Sequence, residues 1–444
     1  MEHLRRWGIA DRLRDAAPLS PEWSQDVVFC TSMTGRELSR FTGVFGLVEE
    51  GDRFPERGQQ APQFVLEELL RGVVADLPSC HLELGARVSG VEQDDSEARV
   101  SLDDGRTLAA EYVIGCDGSR SAVREAIGAS YVGEVSLRPN FGFLISAPAL
   151  WDVVAHGRAL HYWIVNPDAP GIMGPLDQDR VWWGGFGVDA KQGEAELLDL
   201  LAKAIGADVE IEVLSTDPWT AQMQMVDHAR SGRVFLAGDA AHLNPPFGGH
   251  GLNTGVGDAV DLGWKLAAVL QGWAGDSLLD TYELERRPVQ ERVIAEAVKN
   301  MSVLPTDLLA EDPATIDRYI QESKDAEFHA LDLVLGEEGA GARAGLRLPH
   351  ARLRSGSSLF DELGDGLTLV ILAERHGEDV AALEGLCRVQ RVPLKTLDLS
   401  AEGLASRYRA DLVLVRPDQH VAWAGDEMPA EPRALLTASA HLPI

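Results

Sequence analysis

The sequence predicts a multidomain α/β protein: a helix-rich α/β part, a β-rich middle, and a small separate α/β unit at the end. Three observations carry this. At 444 residues the chain exceeds one ordinary domain. Residues about 135–225 read as strands and are rich in aromatics, whereas the flanking stretches carry helical periodicity. A stretch holding Pro305, Pro313 and the run GEEGAGARAG then separates a last unit in which apolar runs and one helix alternate.

In chain order, Leu4, Trp7, Ile9 and Leu13 fit one face of a helix over residues 2–14. Gln63 to Leu77 is a clearer helix, with Phe64, Leu66, Leu69, Leu70, Val73, Val74 and Leu77 as a broad apolar stripe. Residues 81–114 shorten to a strand meander (ARVSGVEQ, ARVSLDDGRTL, EYVIGCDG) with Asp104-Gly105 as a hairpin turn. ALHYWIVN and DRVWWGGFGV are strands, and EAELLDLLAKAIG is a helix between β segments. RVFLAGDAAH reads as a buried strand, and a glycine-rich loop then opens a long helix from about Asn253 to Gln271, with more helix to about Lys299. Residues 302–350 read as a connection. LTLVILAE, a helix around EDVAALEGLCRVQ, VPLKTLDL and ADLVLVRPDQHVAWAGD form a βαβ-β-β unit.

Composition excludes several function classes. The chain is 45% hydrophobic, which argues against disorder, and its net charge of -30 argues against nucleic acid or an anionic membrane as partner. No apolar run approaches the roughly 20 residues of a membrane span, and no apolar segment follows the first charges as in a signal peptide. Cys30, Cys80, Cys116 and Cys387 form no C-x-x-C pair, so reduced core thiols and a cytoplasmic location are expected. No metal-ligand spacing is present.

The chemistry concentrates in RVFLAGDAAHLNPPFGGHGLNTGVGDAVDLGWKL, residues 233–266. A strand ending at Gly238-Asp239 presents a carboxylate at the carboxyl edge of a sheet, where open α/β sheets bind ligands. Gly248, Gly249 and Gly251 let the backbone approach a planar ligand closely. The following helix points free N–H groups and a positive dipole end at it. A second string, EYVIGCDGSRSAVREAIG, ends a strand at Asp117-Gly118 before a helix containing Arg124.

These two strings, in this order and some 120 residues apart, resemble the flavin motifs of the para-hydroxybenzoate hydroxylase family of single-component FAD monooxygenases, over residues 1 to about 300. Within that family the C-terminal hundred residues resemble the thioredoxin-like appendage of phenol and aromatic polyketide hydroxylases. The resemblance implies an FAD-binding, Rossmann-like domain of the glutathione-reductase type from residues 1–130 and 226–300. A β-rich substrate domain is interleaved from 20–60 and 131–225, with a helical or linker connection at 301–350 and a thioredoxin-like domain at 351–444. It also implies that Asp239 and Gly238 serve the ribityl chain, and that Pro246 lies beside the reactive flavin carbon. Gly248, Gly249, His250, Gly251, Leu252 and Asn253 would wrap the pyrimidine edge, and Asp117, Gly118 and Gln63 the ribityl–pyrophosphate region. Taken alone, Gln63 reads as a solvated helix start and His250 as a loop residue.

The implied activity is hydroxylation of a phenolic or polyketide aromatic by O2 through a flavin C4a-hydroperoxide, with NADPH or NADH as reductant. A flavin epoxidase or Baeyer–Villiger oxygenase on the same fold, or a non-catalytic remnant, are the alternatives; a homodimer is left open. A base that ionises the phenol would raise its reactivity, and the candidates are His161, Tyr162, Gln222, Gln224 and His228. Trp163, Trp182, Trp183 and Trp219 are candidate walls of an aromatic pocket.

The family begins with a strand, a G-x-G-x-x-G turn and a helix that hold the ADP half of the flavin. Residues 1–14 resemble the helix that follows this unit, so the FAD domain is expected to be incomplete, by a βαβ block of roughly 30 residues or more. A mis-assigned start codon or a partial sequence is the favoured explanation, a truncated relative the third. The expectation is poor FAD binding by this chain expressed alone; a yellow, FAD-stoichiometric preparation overturns it.

Overall fold

In the computed structural model, which describes residues 1–47, 52–301, 304–329, 341–374 and 376–440, the chain opens with helices α1 (Glu2–Arg6) and α2 (Ala10–Ala16). The single helix predicted there is broken at Gly8, whose φ of 71° ends α1. Then come β1 (Val27–Cys30), β2 (Glu37–Phe41) and α3 (Gln63–Asp76). The meander is β3 (Val88–Gln93), β4 (Ala98–Leu102) and β5 (Thr107–Ala110), antiparallel throughout. β6 (Val113–Gly115), read from sequence as a fourth meander strand, belongs to a different sheet.

After α4 (Ala122–Ala126) the long β7 (Tyr131–Ser146) is followed by α5 (Leu150–Val153). β8 (His161–Ile164), β9 (Gly171–Pro175), β10 (Val181–Phe186), α6 (Ala190–Ile205) and β11 (Glu212–Val226) come next. The flavin-type motif comprises β12 (Arg230–Ser231), β13 (Val234–Leu236), β14 (His242–Leu243) and α7 (His250–Leu270). α8 (Thr281–Asn300) and α9 (Pro313–His329) follow. The connection predicted over 302–350 therefore holds a 17-residue helix, with Pro313 at its first position, where a missing N–H costs nothing. Of the glycine-rich run, residues 336–340 lie outside the described residues.

The last unit has β15 (Leu367–Ile371), α10 (Gly377–Gln390), β16 (Leu394–Asp398), α11 (Ala405–Tyr408), β17 (Leu412–Val415), β18 (Val421–Gly425) and α12 (Pro432–Ala440). β15 and β16 are parallel and β17 and β18 antiparallel, in the order β16-β15-β17-β18, as the βαβ-β-β reading requires. Its cysteine, Cys387, is buried, and burial with Glu384 nearby pushes the thiol up to about 11, which makes it a packing residue rather than a nucleophile.

Two sheets position the site. An eight-stranded sheet runs β14-β11-β7-β10-β9-β8-β1-β2 and covers the predicted substrate part, including the 20–60 segment. A small sheet pairs β13 parallel with β6 and antiparallel with β12. β6 is an outer strand of that sheet among the described residues, and Ile114 on it is 43% exposed.

Strand alternation decides what each face of the large sheet does. Tyr162, Met173, Trp182, Phe186, Phe143 and Val28 form one face and pack under Leu197, Leu201 and Ile205 of α6. Gly193 lets α6 settle onto Phe141, since a Cβ there would lie 2.2 Å from the ring. The opposite face presents Val27, Phe29, His161 and Trp163, which register side by side in β1 and β8. α9 covers part of this second face through Ile316, Ile320 and Phe328.

Candidate active site

The site begins where β13 ends. Gly238 has φ 59° and its N–H donates to Asp258 at 3.1 Å. Asp239 follows in a short 3-10 turn, exposed, with its main-chain carbonyl accepting from the Tyr131 hydroxyl. No hydrogen bond to the Asp239 carboxylate is recorded among the described residues, so it is available to a polyol. Three residues later the chain has left the small sheet and joined the large one, as β14 pairing with Gln224 and Met225 of β11.

The chain then turns through Pro245-Pro246-Phe247. Pro246 is exposed and its carbonyl accepts from Gly249 N–H at 3.1 Å. Phe247 stacks on Trp163 at 6.2 Å between ring centres, which brings the glycine-rich loop onto the second face of the large sheet. Gly248 and Gly249 have φ of 86° and 68°, a region that favours glycine. A Cβ on Gly249 or Gly251 would meet nothing within 4 Å, so open space borders the loop there. Asn253 fixes the turn by donating to the Gly249 carbonyl at 2.8 Å, and Leu252 is 51% exposed. His250 opens α7 and folds its ring over Gly248; burial pulls its imidazole below the usual range. No side chain caps α7, so its first N–H groups remain free for a ligand acceptor.

Asp258, one face down α7, holds this arrangement together. It is fully buried and takes hydrogen bonds from His242 Nε2 at 2.6 Å, Arg286 Nε at 2.8 Å and Gln290 Nε2 at 3.3 Å, besides Gly238. Burial alone would raise its carboxyl, but the His242 hydrogen bond and charge, with Arg286, bring it below the ordinary value. Gly255 packs against Gly238, a Cβ on Gly255 lying 3.4 Å from Gly238 Cα, so strand end and helix meet without intervening side chains.

The second string is partly a capping device. Asp117 accepts from the Ser121 hydroxyl and from Val123 N–H at 3.1 Å, fixing the start of α4, while Gly118 has φ 77°. Arg124 is buried, donates to Ser119 O at 2.9 Å and lies 4.1 Å from the centre of the Tyr131 ring. Tyr131 in turn reaches Asp239, so the two strings meet through one tyrosine. Gln63 is exposed at the start of α3 and donates to Glu67 at 2.8 Å.

Of the substrate-side candidates, the structure brings His161, Trp163 and Trp183 together and separates the rest. His161 lies 6.2 Å from Trp163 and 6.1 Å from Trp183. Its Nε2 is buried without a hydrogen-bond partner, and burial holds the imidazole at about 3, hence neutral at working pH. Tyr162 and Trp182 point the other way, into the core under α6. The Tyr162 hydroxyl is committed to the Gly157 carbonyl and is pushed up by burial. Gln222 and Gln224 lie on β11, with three strands between it and β8. His228 is bound to Asp227 at 2.9 Å and to the Ile127 carbonyl at 3.3 Å, a structural commitment. Phe247, Phe29 and Asp258 were not singled out in the sequence; Phe247 and Asp258 lie inside the quoted motif, and Phe29 carries no distinguishing signal.

The donor set fits the isoalloxazine and ribityl half of FAD: a free carboxylate, a tight glycine loop and an uncapped helix end converge beside an aromatic wall. Beyond it, Asn244 keeps both side-chain polar atoms buried and unpartnered.

Comparison with known proteins agrees with this geometry. Residues 1–297 match the family described as FAD binding domain, and residues 341–442 the family described as aromatic-ring hydroxylase, C-terminal. The chain is 34% identical over 425 residues to tetracenomycin B2 monooxygenase-dioxygenase of Streptomyces olivaceus, covering 88% of this chain and 77% of that protein. The rebeccamycin biosynthetic enzyme RebC with reduced flavin superposes with a TM-score of 0.88 at 33% identity, covering 99% of this chain and 89% of that one. A ternary complex of aklavinone-11 hydroxylase with FAD and aklavinone superposes with a TM-score of 0.82 at 27% identity, covering 99% and 90%.

Proposed function

Because the chain belongs to the FAD-dependent aromatic-ring hydroxylases, we propose that it hydroxylates a polycyclic, polyketide-type phenol, with NADPH or NADH as reductant and O2 as oxygen donor. That it is an FAD-dependent monooxygenase follows from the family. The observation that carries it is the crossing of residues 236–247 from the small sheet to the large one. This crossing sets the Asp239 carboxylate and the Phe247–Trp163 stack on one continuous stretch of chain.

FAD, when bound, supplies reductive activation of O2. The chain's own residues do the rest. Asp239 and the free amides at the start of α7 hold the ribityl chain and the ring's polar edge. Pro246, Gly248, Gly249, His250, Gly251, Leu252 and Asn253 shape the approach to that ring. Gly118, with Asp117 holding α4, and Gln63 flank the ribityl–pyrophosphate region. Phe29, Trp163, Trp183 and Phe247 exclude water from the reacting face and orient the substrate ring. His161, being neutral, acts as a hydrogen-bond partner of the substrate rather than as a titrating base.

The test is a product assay: the chain, NADPH or NADH, O2 and a polycyclic phenol, with mass and ring substitution of the product determined. A hydroxylated ring with one reductant consumed per oxygen inserted supports the reading; ring cleavage, an epoxide or reductant-independent turnover sinks it. Two site variants sharpen it. Asp239→Ala should weaken FAD binding about tenfold to a hundredfold, the scale of a lost hydrogen bond to a charged group, as read by flavin fluorescence. His161→Phe should lower kcat/KM while leaving the shape of its pH profile between pH 5 and 9 unchanged, since a group already neutral at about 3 has no proton to lose there. A vanished inflection in that range would restore His161 as the base.

A further inference from the structure

Lys324 occupies a position where an apolar residue is expected. The buried stripe of α9 is Ile316, Ile320, Lys324, Glu327 and Phe328, and the Lys324 side chain is only 4% exposed. Its ammonium donates to the carbonyl of Asn300, the last residue of α8, at 2.7 Å, and to Glu327 at 3.2 Å. A helix C-terminus and a carboxylate both favour a cation. An ammonium has three donors, and these two contacts leave one. The nitrogen also lies 5.8 Å from the centre of the Trp163 ring.

The unpartnered buried atoms around it share one character. Trp163 Nε1 and Asn300 Nδ2 are donors, and His161 Nε2 can be one. Each such atom left unmade costs about 1–3 kcal/mol, so a cluster of them calls for a partner that the chain does not supply. Asn300 also links this cluster to the flavin loop, its Nδ2 lying 3.3 Å from where a Gly248 Cβ would be. The ring in the middle is stacked between Phe29 at 5.9 Å and Phe247 at 6.2 Å. Aromatic walls with spare donors suit a flat ring that carries oxygen acceptors, and a buried cation favours an ionised one.

We propose that Lys324 is the specificity-determining residue of the substrate site, donating to a phenolate oxygen of an aromatic ring held beside Trp163. This rests on the aromatic-substrate reading above and deepens it. Binding in this form releases the phenol proton to solvent and leaves the ring negatively charged, the state most reactive toward electrophilic oxygen.

The test titrates the FAD-loaded full chain with 1-hydroxyanthraquinone and with 1-methoxyanthraquinone, which cannot ionise. The unsubstituted protein should bind the hydroxy compound at least about tenfold more tightly and show the red-shifted absorption of its phenolate. Lys324→Met should abolish both the preference and the red shift while binding the methoxy compound as before, and Lys324→Arg should restore most of each. Since the methionine variant leaves Glu327 buried without its partner, the double variant Lys324→Met/Glu327→Gln is measured alongside and judged by the same criteria. Retention of the preference and red shift in both methionine variants overturns the proposal, as does an equal loss for the two ligands, which marks a merely structural role. If the unsubstituted protein binds both ligands with no phenolate spectrum, Lys324 loses its assignment while the aromatic reading stands. If it binds neither, both fall.

Discussion

An Asp258→Ala chain is expected to lose FAD and to be destabilised by about 3–5 kcal/mol, the cost of stranding the partner of a buried ion pair. The partner is Arg286, whose side chain is 12% exposed and whose Nε loses its acceptor at 2.8 Å. The damage reaches function because the same carboxylate holds Gly238 N–H and His242, the residues on either side of Asp239. Without it the strand end is no longer tied to α7, and the free carboxylate and the uncapped helix lose their mutual alignment. The pH dependence carries a sign. The folded carboxyl sits below the ordinary value, so its contribution is fully present above about pH 4 and fades as pH falls through the folded value. The deficit of the variant, measured by thermal melting, should therefore be largest at neutral pH and shrink in acid. Full flavin content with an unchanged melting temperature would show that Asp258 does not organise the site.

That residue also shows where sequence reading stops. The string around Gly238-Asp239 and the loop at 248–253 were legible because backbone geometry demands small residues there, and glycine at φ 86° and 68° leaves a visible mark. Asp258 lay inside the quoted string, but nothing in a linear pattern says that an aspartate eight residues into a helix points inward at the strand end. Trp182 and Trp183 are the same lesson on a sheet. Alternation predicts that adjacent tryptophans face opposite ways, yet only the order of strands shows which face meets α6 and which meets His161. β6 was read into the wrong sheet because its apolar run follows a true meander, and its partner β13 is about 120 residues distant. α9 was hidden by Pro305, Pro313 and the glycine run, which are breakers in a list of residues although one of them starts a helix here. Lys324 went unseen for that reason, since the resemblance implied only a helical or linker connection there and the residue pattern did not place the helix on which its burial depends.

The second large effect is expected at the junction of the last unit with the flavin helix. Arg416, from the turn after β17, bonds Asp418 at 2.5 Å, Glu285 at 2.7 Å and Asp261 at 3.5 Å, with Trp264 5.3 Å beneath its guanidinium. Lys265 reaches Asp261 at 2.8 Å and Glu285 at 3.3 Å. Three carboxylates so close would suit a metal ion by their oxygen spacing, but these two cations already pair with all three. Arg416→Met leaves Asp261 and Glu285 facing Lys265, and the buried Asp418 with His420 at 3.5 Å, with an expected loss of about 3–5 kcal/mol. Its deficit rises with pH as that of Asp258→Ala does, but in a higher window and for a different reason. Burial raises Asp261 to about 6, above the roughly 3.9 of an unfolded chain. The folded state thus takes up a proton between about pH 4 and 6, and this group's effect on stability worsens as pH rises through that window. Against burial, Arg416 holds Glu285 and Asp418 below their ordinary values, so removing the guanidinium lifts both, and the Arg416→Met deficit should be small near pH 5, where protonation relieves the repulsion, and grow toward pH 8. Because Asp261, Trp264 and Lys265 belong to α7, the loss should appear both as early protease cleavage within 301–350 and as weaker flavin retention at the other end of the helix. A deficit that is constant from pH 5 to 8 would mean that packing on Trp264, and not charge, holds the last unit in place.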